Sequence, residues 1–395
     1  MAGDTRDGPG ARPLFAYIDC VRGYAVTLVI TCHLAYAFPE LPWPVHRIVV
    51  SGWYGVQLFF LASALTLLMS WRHETVRLGR ARIAPFFIRR FFRIAPAYYV
   101  AAWFYALLMP PPGGFDATQL LVSLAFLNGW SPALMPTVSG VWNVVPGGWS
   151  VAVEFTFYLV FPLFAMLVQD ARRGLLLFGL CCAAGFAANR MAAPLLGQIY
   201  APGAVDNFLF FWFPNQMAVF ALGGILYSAQ QRIVAHPAIR CAALLRSHGG
   251  LVAAGAMAMM FATTYVRLPH YIGAAPPYVP AFLLASLFLA VFILALSQVR
   301  RSLLLTPLAA AVGKVSFSAY LLHYAVIELV SAHPRLFHGD ARGMAAIAAF
   351  AAAWLVVMAL TFAGAWCSYH ALELPMMALG KSLARARWKV AAQLH

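Results

Sequence analysis

Ten apolar runs of roughly twenty residues recur along this chain, near 15–37, 49–71, 94–110, 149–168, 174–190, 208–229, 249–266, 279–298, 307–332 and 343–366. At 1.5 Å per residue, each is long enough to cross about 30 Å of hydrocarbon as an α-helix. Backbone in lipid must satisfy its own hydrogen bonds, so repeated runs of this length predict an all-α, polytopic membrane helix bundle. With 63% hydrophobic and 10% charged residues, too few polar side chains remain to cover a water-soluble surface. Any chemistry must therefore lie among the spans. The stretch 119–128 is apolar but short, and is read as a helix at the interface or an eleventh crossing.

Charge decides the parity. The formal net charge of +15 comes from 24 Arg and 3 Lys against 12 acidic residues, and the basic residues are confined mostly to short loops, which suits membrane topology better than nucleic-acid binding. With ten crossings, the termini and the loops 72–93, 169–173, 230–248 and 299–306 share one side and hold 21 of the 27 basic residues. The other side holds five, at Arg47, Arg190, Arg267, Arg335 and Arg342, and Arg22 lies inside the first span. The positive-inside rule places both termini in the cytoplasm. An eleventh crossing would destroy this asymmetry. The expected organisation is a cytoplasmic tail at 1–14, a membrane domain at 15–376 and a basic cytoplasmic tail at 377–395. The first span carries Arg22, which the apolar core of a secretory signal avoids, so it is read as retained although Ala35-Tyr36-Ala37 imitates a cleavage site. The six cysteines show no CxxC spacing and read as small packing residues, and no metal site is expected.

Ionisable groups at membrane depth cost a few kcal/mol each, which makes them functional candidates by default, with structural ion pairs as the alternative. Arg22 and His33 are eleven residues apart, which returns them to nearly one helix face about 16 Å apart along the axis, too far for a direct hydrogen bond. Arg89, Arg90 and Arg93 fall within one helical turn among aromatic residues; such a cluster suits phosphate groups, although positive-inside anchoring also puts arginines there. In the fourth span Trp149 can anchor at the interface, and Ser150, Glu154 and Tyr158 recur at i, i+4 and i+8 on one face. Ser316, Tyr320 and His323 stack on another. Glu373 reads equally well as a helix-end carboxylate paired with a basic loop and as an active group.

Six segments, in order, resemble the acyltransferase-3 family of multi-pass membrane enzymes that O-acylate bacterial surface and secreted polysaccharides. They are IDCVRGYAVTLVITCH (18–33), GVQLFFLASAL (55–65), RRFFRIAP (89–96), WSVAVEFTFY (149–158), GKVSFSAYLLHY (313–324) and ELP (373–375). The first resembles the family's Asp-Gly-Leu-Arg-Gly-x-Ala opening and its Arg-x10-His pattern, with Cys20 in place of the usual Gly. Ala64-Leu65 stands where Gly-Phe is common and Ala95 where Tyr is, and the family's two arginines separated by one residue have no direct counterpart in Arg89-Arg90 and Arg93. The chain resembles the stand-alone form, without an SGNH-type domain.

The resemblance implies an O-acyltransferase of the bacterial inner membrane. It would use acyl-CoA, most plainly acetyl-CoA, as co-substrate, with no permanently bound cofactor, and a glycan or lipid-linked sugar as acceptor. Arg89, Arg90 and Arg93 would hold the donor's phosphates, and Arg22 would guide its pantetheine arm. His33 would act as general base because imidazole titrates near neutral pH, with Glu154 orienting or recharging it. Tyr158, Ser316, Tyr320 and His323 are further candidates. The intramembrane Arg22, His33, Glu154 and His323 also fit a proton-coupled transporter or lipid-carrier flippase. A sensor or assembly partner in polysaccharide export would keep the fold without needing a reactive histidine.

Overall fold

The structure, a computed structural model, describes residues 16–78, 82–111, 113–276, 278–299, 301–333 and 341–393. The expected N-terminal tail at 1–14, with Arg6 and Arg12, lies outside the described residues, as do Arg80, Arg300 and Arg335. Among the described residues all regular structure is helical. In chain order the helices are α1 (Ala16–Ala35), α2 (Trp43–Val50), α3 (Gly55–Leu78), α4 (Ile83–Leu108), α5 (Ala117–Leu124), α6 (Pro136–Ser139), α7 (Gly148–Leu167) and α8 (Ala171–Leu196). They continue as α9 (Pro202–Phe211), α10 (Phe213–Ala235), α11 (Arg240–Ala262), α12 (Ala281–Gln298), α13 (Pro307–Lys314), α14 (Ser316–Ser331), α15 (Gly343–Ser368) and α16 (Leu374–Gln393).

Nine helical stretches among the described residues are long and apolar enough to cross a membrane, and a tenth is counted if α13 and α14 form one broken span. This is a multi-pass membrane protein. The apolar stretch at 119–128 becomes α5, eight residues capped by Asp116, whose side chain accepts from the backbone of Thr118 and Gln119. At about 12 Å it is too short to cross.

α1 is the centre of the bundle, packed against α3, α13, α14 and α15. Its contact with α13 is backbone against backbone. A Cβ on Gly313 would lie 1.7 Å from the carbonyl oxygen of Asp19, and one on Gly23 would lie 2.1 Å from that of Ala309. Only glycine permits this approach, as is common where helices associate without a hydrophobic driving force.

The expected span 307–332 is not one rod. Thr306 caps α13, which ends at Lys314, and the chain turns by 80° before α14 starts at Ser316. Helix α14 thus begins inside the bundle with no side-chain cap of its own. The last expected span, 343–366, is α15. α15 passes through one π-helical turn, Tyr369–Glu373, into α16, so residues 377–393, expected as a tail, continue a helix that packs along α4.

Candidate active site

At the arginine-rich end of the bundle a cavity of about 1120 Å³ opens, and its wall carries Arg22, Arg89, Arg90, Arg93, Lys314 and Lys381. Asp19 is the sole carboxylate among its lining residues. One helical turn of α4 presents three arginines, and each meets a different partner. The Arg89 guanidinium donates to both oxygens of Glu74 at 2.6 and 2.7 Å. Arg93 donates to Glu373 Oε2 at 2.8 Å. The other oxygen of Glu373, whose side chain is fully buried, accepts from the Ser318 backbone N–H at 3.0 Å and from the Ser318 hydroxyl. Glu373 therefore caps the interior start of α14 as well as balancing Arg93.

Arg22 and Arg90 have no such balance. Among the described residues neither has a carboxylate within ion-pairing distance. Arg22 reaches the Thr66 hydroxyl at 3.5 Å, while Arg90 lies over the Phe86 ring with its Nε buried and without a hydrogen-bond partner. A half-buried guanidinium left unpaired is costly, and an anion in the cavity would relieve that cost.

A second cavity of about 90 Å³ shares Arg22, Arg90 and Arg93 with the first and runs between α3, α7 and α14. Its wall is polar for its depth, with Ser63, Ser150, Glu154, Tyr158, Ser316 and Tyr320. Glu154 Oε1 accepts from the hydroxyls of Ser63 and Tyr158, both at 2.6 Å. Within its wall Ser150 Oγ and Tyr320 Oη meet at 2.7 Å. Tyr320 also donates to the Gly147 carbonyl at 2.9 Å. Gly147 has φ 77°, and a Cβ there would lie 2.9 Å from Tyr320 Oη, so a side chain would push the tyrosine aside.

Past Tyr320 lies a histidine pair from α1 and α14. His33 Nδ1 and His323 Nε2 are 2.8 Å apart, His323 Nδ1 is 2.6 Å from the Tyr320 carbonyl oxygen, and Tyr324 Oη is 2.8 Å from His33 Nε2. The carbonyl fixes the order of protons. It can only accept, so His323 Nδ1 carries the hydrogen and Nε2 of the neutral ring presents a lone pair. His33 Nδ1 must then donate to His323. This leaves His33 Nε2 as a base, facing the phenol that donates to it. His323 is fully buried, whereas His33 is half-buried and Tyr36, one turn on, is 57% exposed.

The proposed site residues thus fall into two connected groups. Arg22, Arg89, Arg90 and Arg93 line the large cavity. Ser150, Glu154, Tyr158, Ser316 and Tyr320 line the small one, and His33 and His323 lie beyond it. One expectation fails: Glu154 is not the partner of His33. Its hydrogen bonds go to Ser63 and Tyr158, and His323 takes the orienting position instead. Trp149, the second residue of α7, packs among Phe60, Phe210 and Phe211. Sequence reasoning missed Ser63 and Tyr324, although both lie inside quoted motifs and are hydroxyls in apolar runs. It also missed Glu74, which nothing in the local sequence ties to Arg89.

Residues 15–370 match the acyltransferase domain model of the acyltransferase-3 family. Acyltransferase MdmB of Streptomyces mycarofaciens is 29% identical over 327 residues, which cover 78% of each chain. Peptidoglycan O-acetyltransferase OatA of Listeria monocytogenes serovar 1/2a is 28% identical over 168 residues, or 38% of this chain and 24% of OatA. No solved structure matches the chain. The family model extends from the start of α1 to the π turn, across the helices that build the small cavity and the histidine pair and all of the large cavity's wall but Met377 and Lys381, and the chain belongs to the acyltransferase-3 family.

Proposed function

We propose that this acyltransferase moves an acyl group, acetyl in the first instance, from acyl-CoA to a hydroxyl of a cell-surface or secreted glycan or its lipid-linked precursor. The observation that carries the reading is the polar path between unpaired guanidiniums at one end and an oriented imidazole base at the other. Coenzyme A is long, polyanionic at one end and reactive at the other. Its phosphates suit Arg90 and Arg22, with Arg89 and Arg93 beside them, and its arm suits the narrow cavity. The helical distance of about 16 Å from Arg22 to His33 is comparable to an extended pantetheine arm. Passage of the thioester requires the Tyr320–Ser150 hydrogen bond to part.

At the histidine pair the acceptor oxygen attacks the thioester carbonyl carbon while His33 Nε2 takes its proton. The carbon–sulfur bond breaks, and the proton passes from His33 to the departing thiolate, leaving an ester and a free thiol. His323 is a positioning residue here. By accepting from His33 Nδ1, it holds the ring in the tautomer that exposes Nε2 and stabilises the transient imidazolium. The name of the OatA relative, which joins O-acetylation to peptidoglycan, supports a glycan hydroxyl as acceptor.

Purified protein supplied with acetyl-CoA and surface glycan from its host is expected to release free thiol and to add 42 mass units, about one acetyl group, per modified sugar. Intact thioester with an unmodified glycan would overturn the reading, and a transporter would give that result. We place the protein in the bacterial inner membrane with both termini and the loop 72–93 cytoplasmic, on the distribution of basic residues. A reporter that folds only in the periplasm should be silent when fused at the C-terminus. Activity there would reverse the side from which the donor enters.

A further inference from the structure

We propose that Tyr324 stands in for the acceptor hydroxyl, keeping His33 occupied until an acceptor arrives and so suppressing hydrolysis of the acyl donor. The inference rests on His33 being the base. An acyltransferase faces a selectivity problem that composition of the site alone does not solve, because water is a hydroxyl nucleophile far more abundant than any sugar. Attack by water would follow the same course as transfer. Its oxygen would bond to the carbonyl carbon, its proton would go to His33 Nε2 and on to the thiolate, and the products would be a carboxylic acid and free thiol.

Water can approach the reacting centre from the side of α1, because His33 is half-buried rather than sealed and Tyr36, one turn on, is 57% exposed. A general base acts on whatever hydroxyl lies within about 2.6–3.2 Å of it. In this structure that place is filled. Tyr324 Oη sits 2.8 Å from His33 Nε2, the one nitrogen that the proton order leaves free to accept. The phenol is held there by its ring, whose centroid lies 4.5 Å from that of His33 and 4.3 Å from that of His323. The α7 end is fitted to it as well, since a Cβ on Gly147 would come within 3.2 Å of the Tyr324 ring. A sugar hydroxyl bound in its own subsite can compete for Nε2 through its many contacts. A lone water, with none, competes poorly.

Tyr324→Phe removes the hydroxyl and keeps the ring, which makes it the direct test. In purified protein without any glycan, acetyl-CoA hydrolysis, followed by thiol release, is expected to rise about three- to tenfold over wild type, the shift that loss of one competing hydrogen bond gives. The double variant His33→Gln/Tyr324→Phe should lose that increase. Unchanged or slower hydrolysis in a Tyr324→Phe protein of wild-type melting temperature would overturn the proposal, as would an increase that survives in the double variant. Acetylated Tyr324 in the wild-type protein, read by peptide mass spectrometry, would also overturn it, because the phenol would then be a nucleophile. Should Tyr324→Phe melt early, Tyr324→Met, which also lacks the hydroxyl, decides instead when assayed below its melting temperature: acceptor-free thiol release per folded enzyme is expected to rise as above, and an unchanged rate overturns the proposal. His33→Gln alone separates the two levels: if it still transfers acetyl groups the underlying reading fails, and if it does not, only the Tyr324 measurements bear on the stand-in.

Discussion

Replacement of His33 by glutamine is expected to leave a folded protein that transfers acyl groups about 10² to 10⁴-fold more slowly, the usual contribution of a general base. The structure explains why folding should survive. A glutamine amide can still donate towards His323 Nε2 and accept from the Tyr324 hydroxyl, the two hydrogen bonds that His33 makes. It cannot take a proton at neutral pH. Structural and chemical roles therefore separate cleanly, with melting temperature and acyl-CoA affinity near wild type and the transfer rate collapsed. A His33→Gln protein working at more than a tenth of the parental rate would move the base to His323, which the proton order now assigns to positioning.

Neutralising the arginines should give two different results, although the three share one turn of helix. Arg90→Gln removes a guanidinium with no carboxylate partner, so its expected effect is on the donor. The Michaelis constant for acyl-CoA should rise about ten- to a hundredfold at unchanged melting temperature, as for loss of one desolvated arginine–phosphate contact. Arg93→Gln instead strands Glu373, whose side chain is fully buried. Breaking a buried pair costs about 3–5 kcal/mol, and the lower end applies because Arg93 is 23% exposed. Low yield and early melting are expected, with Glu373→Gln in the same chain restoring stability. An Arg90→Gln enzyme with an unchanged Michaelis constant would remove Arg90 from the donor site.

What was legible in the sequence follows from which forces are local. A membrane span announces itself because lipid demands about twenty apolar residues in a row, and Arg22, His33 and Glu154 stand out because charge at depth is expensive. The ladder Ser150, Glu154 and Tyr158 was readable from helical spacing, and all three do share the small cavity. Partnerships were not. Arg93 meets Glu373 across 280 residues and His33 meets His323 across 290, separations that no periodicity encodes. Glu154 is the carboxylate the sequence offers to orient or recharge His33, whereas Tyr158, four residues on, and Ser63 on α3 are its hydrogen-bond partners. The break at Val315 was hidden for a related reason. It falls within a run whose composition is continuous, and only the backbone contact of Gly313 with Asp19 shows where α13 is held down on α1 before the chain turns 80° into α14.

The narrow cavity has a consequence for the membrane itself. A polar passage wide enough for a few waters is also a route for protons, and an enzyme that leaked them would discharge the gradient its host lives on. The unpaired guanidiniums of Arg22 and Arg90 stand where the wide cavity narrows. Fixed positive charge in a low-dielectric constriction repels hydronium and other cations, the device by which pore-lining arginines keep water channels from conducting protons. It attracts polyanions at the same place. On the donor reading proposed above, the charge that would hold the donor's phosphates would also keep the path electrically tight, alongside the Ser150–Tyr320 hydrogen bond that a thioester must part.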